Sequence, residues 1–153
     1  MMVSIERLKE VGIFQGIRDD ELEMIAQSVV RIQDFPSGEV IFAENSNSTR
    51  LYIVDSGRVN LDIEAVPDTH LQVASLKRNE VFGWEALVPP YKYTSTASPV
   101  ADSGLIILDG DVMRKLCETH PDICARVMER VVRIAADQLV ATRQQMFMLL
   151  HSK

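Results

Sequence analysis

The sequence predicts a mainly β protein with flanking helices: a double-stranded β-helix (jelly-roll) barrel, short N-terminal helices and one long C-terminal helix. Two observations favour this fold. Between Val30 and Leu108 the chain is a series of short runs rich in Val, Ile, Tyr and Phe, separated by turn residues. From Asp122 to Leu150 there is no Gly or Pro, which indicates one uninterrupted helix.

The elements follow in order along the chain. Residues 19–29 place apolar side chains at helical spacing behind acidic residues, which predicts a short amphipathic helix. Seven runs then predict strands: RIQDF, EVIFA, RLYIVDS, RVNLDIEA, HLQVASL, YTSTASPV and GLIIL. Asp109 is expected to cap a short helix and Pro121 to start the last one. We therefore expect a jelly-roll unit over residues 1–120 and a long helix over 121–153, as parts of one domain.

The last helix carries two apolar stripes, one through Ile123, Val127 and Ile134 and a second from Cys124 to Leu149. A helix that lies on a single barrel needs one stripe, so the other is expected to pack against a further surface. A second copy of the helix, which would form a homodimer, is the simplest candidate. A separate effector protein is the other partner that this surface would suit.

Composition narrows the class of function. The net charge of −6 opposes a polyphosphate partner, so direct DNA binding is not expected. No apolar run approaches the roughly 20 residues that span a bilayer, so we expect a cytoplasmic protein with no membrane segment. Cys117 and Cys124 lack zinc-site spacing and are interpreted as buried structural thiols.

An enzymatic jelly roll would need histidines and a carboxylate clustered around a metal, and only His70 falls in the barrel region. We therefore expect neither a metal site nor catalytic residues. Four carboxylates alternate with apolar residues along the strands and are interpreted as a solvated outer face: Glu39, Glu44, Asp62 and Glu64.

Residues 35–59, FPSGEVIFAENSNSTRLYIVDSGRV, carry a specific pattern of strands and glycines. Together with FGWEAL and the start of the last helix, this pattern resembles the cyclic nucleotide-binding domain family, in particular the sensor domains of Crp/Fnr-type regulators. Gly38 and Gly57 fit turns that need a positive φ or close packing. The resemblance implies a non-enzymatic regulatory module. The helix-turn-helix that follows the long helix in family transcription factors is not expected in this chain, which ends at HSK.

In this family the cyclic phosphate sits in a cassette of the form FGE, a helical turn and Arg-Ser/Thr-Ala. Helix amides and the arginine bind the phosphate, and the glutamate accepts from the ribose. Counting from Phe82 places Trp84 at the glutamate position and Tyr93 at the arginine position. Losing one member of a buried charge pair costs about 2 to 5 kcal/mol, so a micromolar site would become millimolar.

Other residues offer partial replacements. Glu85 would reach the ribose, and Lys92 would supply a positive charge, if each moved by one position in register. Trp84 would either line a pocket for a less polar ligand or fill the vacated space. Counting from Pro121 places Gln138 near the position that contacts the nucleobase in relatives. The expected ligand-binding set is therefore Gly83, Trp84, Glu85, Ala86, Leu87, Tyr93, Thr94, Ser95 and Gln138.

Two functions remain open from the sequence. The first is a sensor that binds cAMP or cGMP weakly, or binds another small metabolite. The alternative is an interaction domain that has kept only the fold, in which Trp84 or Tyr93 would plug the pocket.

Overall fold

The structure, a computed structural model, describes residues 3–152; residues 1, 2 and 153, at the ends of the two expected ranges, lie outside the described residues. The helices are α1 (Ile5–Lys9), α2 (Asp19–Ala26), α3 (Gly110–Thr119) and α4 (Pro121–His151). The strands are β1 (Val29–Phe35), β2 (Arg50–Ser56), β3 (Val59–Val66), β4 (Thr69–Leu76), β5 (Val81–Phe82), β6 (Thr96–Pro99) and β7 (Ser103–Asp109). Two short 3₁₀ turns cover Gly12–Phe14 and Trp84–Leu87.

The strands form two antiparallel sheets. One has the order β1-β7-β2-β5 and the other β4-β3-β6. With helices at both ends and the long α4, this arrangement confirms the mainly β jelly-roll fold predicted from the sequence.

Two local predictions were wrong, and one short strand was not predicted. The EVIFA run forms no strand and makes one isolated bridge, from Phe42 to Ala97. The backbone is left-handed on both sides of this run, at Gly38 (φ 86°) and Asn45 (φ 70°). The extended segment between them is therefore too short to form a β-strand that pairs with a neighbouring strand. The two-residue strand β5 was not predicted, and the helix expected over 19–29 ends at Ala26.

The central strands β2 and β7 are buried on both faces. Alternate residues of each strand point to opposite sides of the sheet. Leu51 and Ile53 face the helices and belong to the first core cluster, which also contains Phe14, Leu22, Met113 and Val127. Tyr52 and Val54 face inward and belong to the barrel core, which also contains Phe35, Phe42, Phe82, Tyr93 and Leu105.

Helix α4 packs on the body of the domain through its first half. Ile123, Val127 and Val131 are buried, and Arg130 donates a hydrogen bond to the carbonyl oxygen of Ile13 at 3.0 Å. Further along, large apolar side chains are exposed: Val132, Leu139, Val140, Met146, Phe147, Met148, Leu149 and Leu150. Within residues 3–152 no helix has the length and hydropathy needed to cross a bilayer.

A disulfide joins Cys117 of α3 to Cys124 of α4, so the interpretation of these cysteines as separate buried thiols was wrong. The chain turns at His120 and Pro121, which places the two helices side by side with the cysteine Cα atoms 4.9 Å apart. That separation lies within the range that a disulfide requires. Both cysteines are half-buried.

Candidate ligand site

The site is built on a left-handed glycine. Gly83 has φ 78°, and a Cβ at this position would lie 2.9 Å from the carbonyl oxygen of Arg50. A side chain would therefore meet both backbone strain and a steric clash. Gly83 turns the chain out of β5 and starts the 3₁₀ turn Trp84–Leu87, which we call the cassette turn.

Helix α3 holds the cassette turn in place. Arg114 donates from Nη1 to the carbonyl oxygen of Ala86, and its guanidinium lies 4.5 Å from the centre of the Tyr91 ring. Gly110 packs so closely that an added Cβ would lie 3.0 Å from the Cβ of Ala86. Helix α3 is also linked to α4 by the disulfide, so α3 contacts the cassette turn on one side and is covalently bonded to the long helix on the other.

Glu85 does not take over the role of a ribose acceptor in this structure. It is 4% exposed, and its Oε2 atom accepts hydrogen bonds from the amide and the hydroxyl of Thr94 at 2.9 and 2.5 Å. Its other oxygen, Oε1, is buried with no hydrogen-bond partner among the described residues. The carboxylate thus joins the start of the cassette to its end, across the loop between them.

Tyr93, at the position of the family arginine, lies in the barrel core. Its ring stacks on Phe42 with the centroids 3.6 Å apart, and its hydroxyl donates to the carbonyl oxygen of Arg50 at 2.9 Å. The side chain is 4% exposed, and burial raises the pKa of its hydroxyl. The Tyr93 ring therefore packs inside the barrel core.

Trp84 forms part of a pocket between the barrel and α4, which we call the Trp84 pocket. The volume of the pocket is about 370 Å³. The indole is half-buried and packs against the first core cluster. Thr94 and Ser95 lie beside it, and α4 contributes Gln138 and Leu139. The amide nitrogen Nε2 of Gln138 is buried with no partner among the described residues.

The polar lining of the Trp84 pocket includes two carboxylates that the sequence analysis placed on a solvated outer face. Glu44 is half-buried and Glu64 is exposed, and both line the pocket. Oε1 of Glu44 accepts a hydrogen bond from the amide of Glu64 at 3.0 Å. Alternation of apolar and charged residues along a strand indicates that the two kinds of residue lie on opposite faces of the sheet. The pattern does not show which of these faces α4 will cover.

No lysine or arginine lines the Trp84 pocket in the described part of the chain. Lys92 instead donates from its exposed side chain to Oδ1 of Asn47 at 2.6 Å. A second cavity of about 540 Å³ lies nearby, between β4, the Gly12–Phe14 turn and α4. Its lining does contain Arg130 and Arg133, and Gln138 contributes to both cavities.

The expected ligand-binding residues thus separate into two groups. Trp84, Thr94, Ser95 and Gln138 line one pocket. The others lie behind it as buried support: Gly83, Glu85, Ala86, Leu87 and Tyr93. Over residues 3–152, no group of three or more His, Cys, Asp or Glu side chains is placed to hold a metal ion.

Known proteins are similar to this chain in sequence. A family model described as cyclic nucleotide-binding domain matches residues 32–120. A CRP-like cAMP-activated global transcriptional regulator of Mycobacterium tuberculosis is 27% identical over 141 residues, which cover 92% of this chain and 61% of the regulator. A cAMP-dependent protein kinase regulatory subunit of Dictyostelium discoideum is 28% identical over 127 residues, 81% of this chain and 38% of the subunit.

Solved structures share the fold. A candidate cyclic nucleotide-binding protein from Geobacter metallireducens is 27% identical with a TM-score of 0.75, and the match covers 95% of this chain and 99% of that protein. The catabolite activator protein of Thermus thermophilus has a TM-score of 0.71 at 23% identity, over 90% of this chain and 62% of that protein. The chain spans about three-fifths or less of the curated relatives cited above.

Proposed function

The chain belongs to the cyclic nucleotide-binding domain family, and we propose that it is a non-enzymatic sensor whose Trp84 pocket binds a small ligand other than a cyclic monophosphate. The relatives named above, a transcriptional regulator and a regulatory subunit, support a regulatory role. The altered cassette, with Trp84 and Tyr93 in place of Glu and Arg, supports the change of ligand.

One observation carries the proposal: the pocket is open, yet within residues 3–152 its lining includes no cationic side chain. A buried or half-buried phosphate needs a paired charge, and an arginine supplies it best because its fork matches the phosphate oxygens. Tyr93 cannot supply this charge because its phenol is never cationic, and its hydroxyl already donates to the carbonyl oxygen of Arg50 inside the barrel. Lys92 and Glu85, the two replacements considered from sequence, are also engaged elsewhere.

Signal transmission would run from the cassette turn to α4. Gln138 and Leu139 of α4 line the pocket, so a bound ligand would touch the helix directly. The exposed apolar residues of the second half of α4 support a homodimer formed through this helix. We propose this dimer as the regulatory unit, acting in the cytoplasm and without direct contact to DNA.

Calorimetric titration with cAMP and cGMP tests the ligand assignment. We expect no saturable binding below about millimolar concentration, because a missing buried charge partner costs roughly 2 to 5 kcal/mol. The Mycobacterium tuberculosis regulator, which is cAMP-activated, is the positive control under the same conditions. Micromolar binding of either nucleotide to this chain would contradict the proposal.

A protein-interaction domain without a ligand is the second candidate, and the apolar end of α4 favours it. Met146, Phe147, Met148 and Leu150 are each more than half exposed. Met-rich apolar helix faces are common at protein-binding surfaces. The substitution Phe147→Glu separates the two candidates in analytical ultracentrifugation. A dimer that the substitution dissociates supports pairing of the helices. A protein that is monomeric both with and without the substitution points to a different partner for this surface.

A further inference from the structure

The two charged side chains that line the Trp84 pocket among the described residues are both acidic. Glu44 and Glu64 line it directly, and Glu85 is held behind it by Thr94. On the exposed surface, Nε2 of His70 lies 3.8 Å from the Glu64 carboxylate, and Arg130 and Arg133 line the neighbouring cavity. From α4 the lining residues are uncharged: Ala135, Gln138, Leu139 and Thr142.

The rest of the lining combines uncharged polar residues with an apolar and aromatic surface. Ile63 and Val73 of the three-stranded sheet, Leu139 of α4 and the half-buried Trp84 indole make up the apolar part. Indole is the best aromatic partner for a cation, because its face carries negative electrostatic potential. Both the carboxylates and the indole of this pocket therefore favour a positively charged ligand.

The lining of the Trp84 pocket includes one buried polar atom that has no hydrogen-bond partner among the described residues. This atom is the amide nitrogen Nε2 of Gln138, which is a hydrogen-bond donor. Buried polar groups are rarely left unpaired. A ligand, or water held with it, would complete the hydrogen bonding of Gln138.

We propose that the Trp84 pocket selects a small organic cation, an ammonium or amidinium group on an aromatic or aliphatic body. The inference rests on the proposed function, because it names the chemical class of the ligand for the same site. The cationic group lies between the indole of Trp84 and the carboxylates of Glu44 and Glu64. The apolar body lies against Leu139 and the sheet.

Trp84 is the only tryptophan in the sequence, so its fluorescence reports on the pocket directly. Three probes of the same shape separate charge from size: benzamidine (cation), benzamide (neutral) and benzoate (anion). We expect benzamidine to bind about tenfold more tightly than benzoate, with benzamide between them, because exposed ion pairs and cation–π contacts are each modest. Glu44→Gln should weaken benzamidine about threefold and leave benzamide unchanged.

The variant Glu44→Gln keeps the shape of the side chain and the oxygen that accepts from the amide of Glu64. Glu39→Gln, at an exposed position outside the pocket lining, is the matched control and should change nothing. Equal affinities for the three probes, or tighter benzoate binding through the arginines of the neighbouring cavity, would overturn the cation proposal while leaving a ligand pocket in place. Unchanged Trp84 emission with all three probes would overturn the pocket as a ligand site as well.

Discussion

Residues 35–59 and residues 82–97 belong to the same barrel, but they differ in what they retain of the family pattern. The first segment keeps its turns: Gly38 and Gly57 have φ values of 86° and 87°. The second keeps the turn at Gly83, φ 78°, and replaces the charged residues. The glycines set the path of the backbone. In the proposed function, the replaced Glu and Arg positions concern the ligand, so the class of ligand differs while the scaffold stays.

Tyr93 shows how the cassette tolerates the change. At the position that the resemblance assigns to the phosphate-binding arginine, Tyr93 stacks on Phe42 and its hydroxyl bonds to the carbonyl oxygen of Arg50. Tyr93 thus packs in the barrel core, whereas Trp84 lines the Trp84 pocket.

The largest effect is expected for Gly57→Ala in the first segment. An added Cβ would lie 2.6 Å from the carbonyl oxygen of Asp102 and 2.7 Å from the Cα of Ser103. Strain at positive φ and the backbone clash together should cost about 4 kcal/mol of unfolding free energy. Urea denaturation measures it. Gly38→Ala is the matched control, since its φ is similar but no heavy atom lies within 4 Å of the added Cβ, and about 1 kcal/mol is expected.

Restoring the family arginine by Tyr93→Arg should destabilise the fold by about 3 kcal/mol, because a cation would replace a ring that is 4% exposed in the barrel core. Tyr93→Phe keeps the stacking and loses only the hydroxyl contact to Arg50, so about 1 kcal/mol is expected. Thermal denaturation compares the two variants. A stable Tyr93→Arg protein that gains cAMP binding would show that the side chain can turn to the pocket.

Reduction of the disulfide should have a smaller effect on the unfolding free energy. Cys117 and Cys124 close a short loop, so reduction is expected to lower the unfolding free energy by about 2 kcal/mol. Denaturation with and without a thiol reductant measures the difference. The double variant with serine at both positions is the control and should not respond to the reductant.

Thr94→Val tests the link across the cassette with the smallest expected effect. The substitution removes the hydroxyl that donates to Glu85 and leaves the amide contact in place, so about 1 kcal/mol should be lost. Thr49→Val, at an exposed position outside the cassette, is the control and should have little effect on denaturation. Equal values for the two variants would mean that the Glu85 contact contributes no stability.

The fold was predictable from sequence because its signals are local. The turn glycines Gly38 and Gly57 act within a few residues of their own position, and so does the absence of Gly and Pro after the first residue of the last helix. The site was less predictable because its features depend on distant neighbours. The direction of Tyr93 depends on Phe42, about fifty residues away, and the place of Glu44 in the pocket depends on α4. The disulfide likewise needed the distance between two helices, which spacing alone does not give.

The central claim is that the Trp84 pocket has no site for a phosphate, and one comparison tests it most directly. Adenosine and cAMP share base and sugar and differ in the cyclic phosphate, so titrating both against Trp84 fluorescence isolates that group. We predict that adenosine binds at least as tightly as cAMP, because the lining offers the carboxylates of Glu44 and Glu64 and no cation among the described residues. Tighter binding of cAMP by about tenfold or more, equivalent to about 1.4 kcal/mol from the phosphate, would contradict the account.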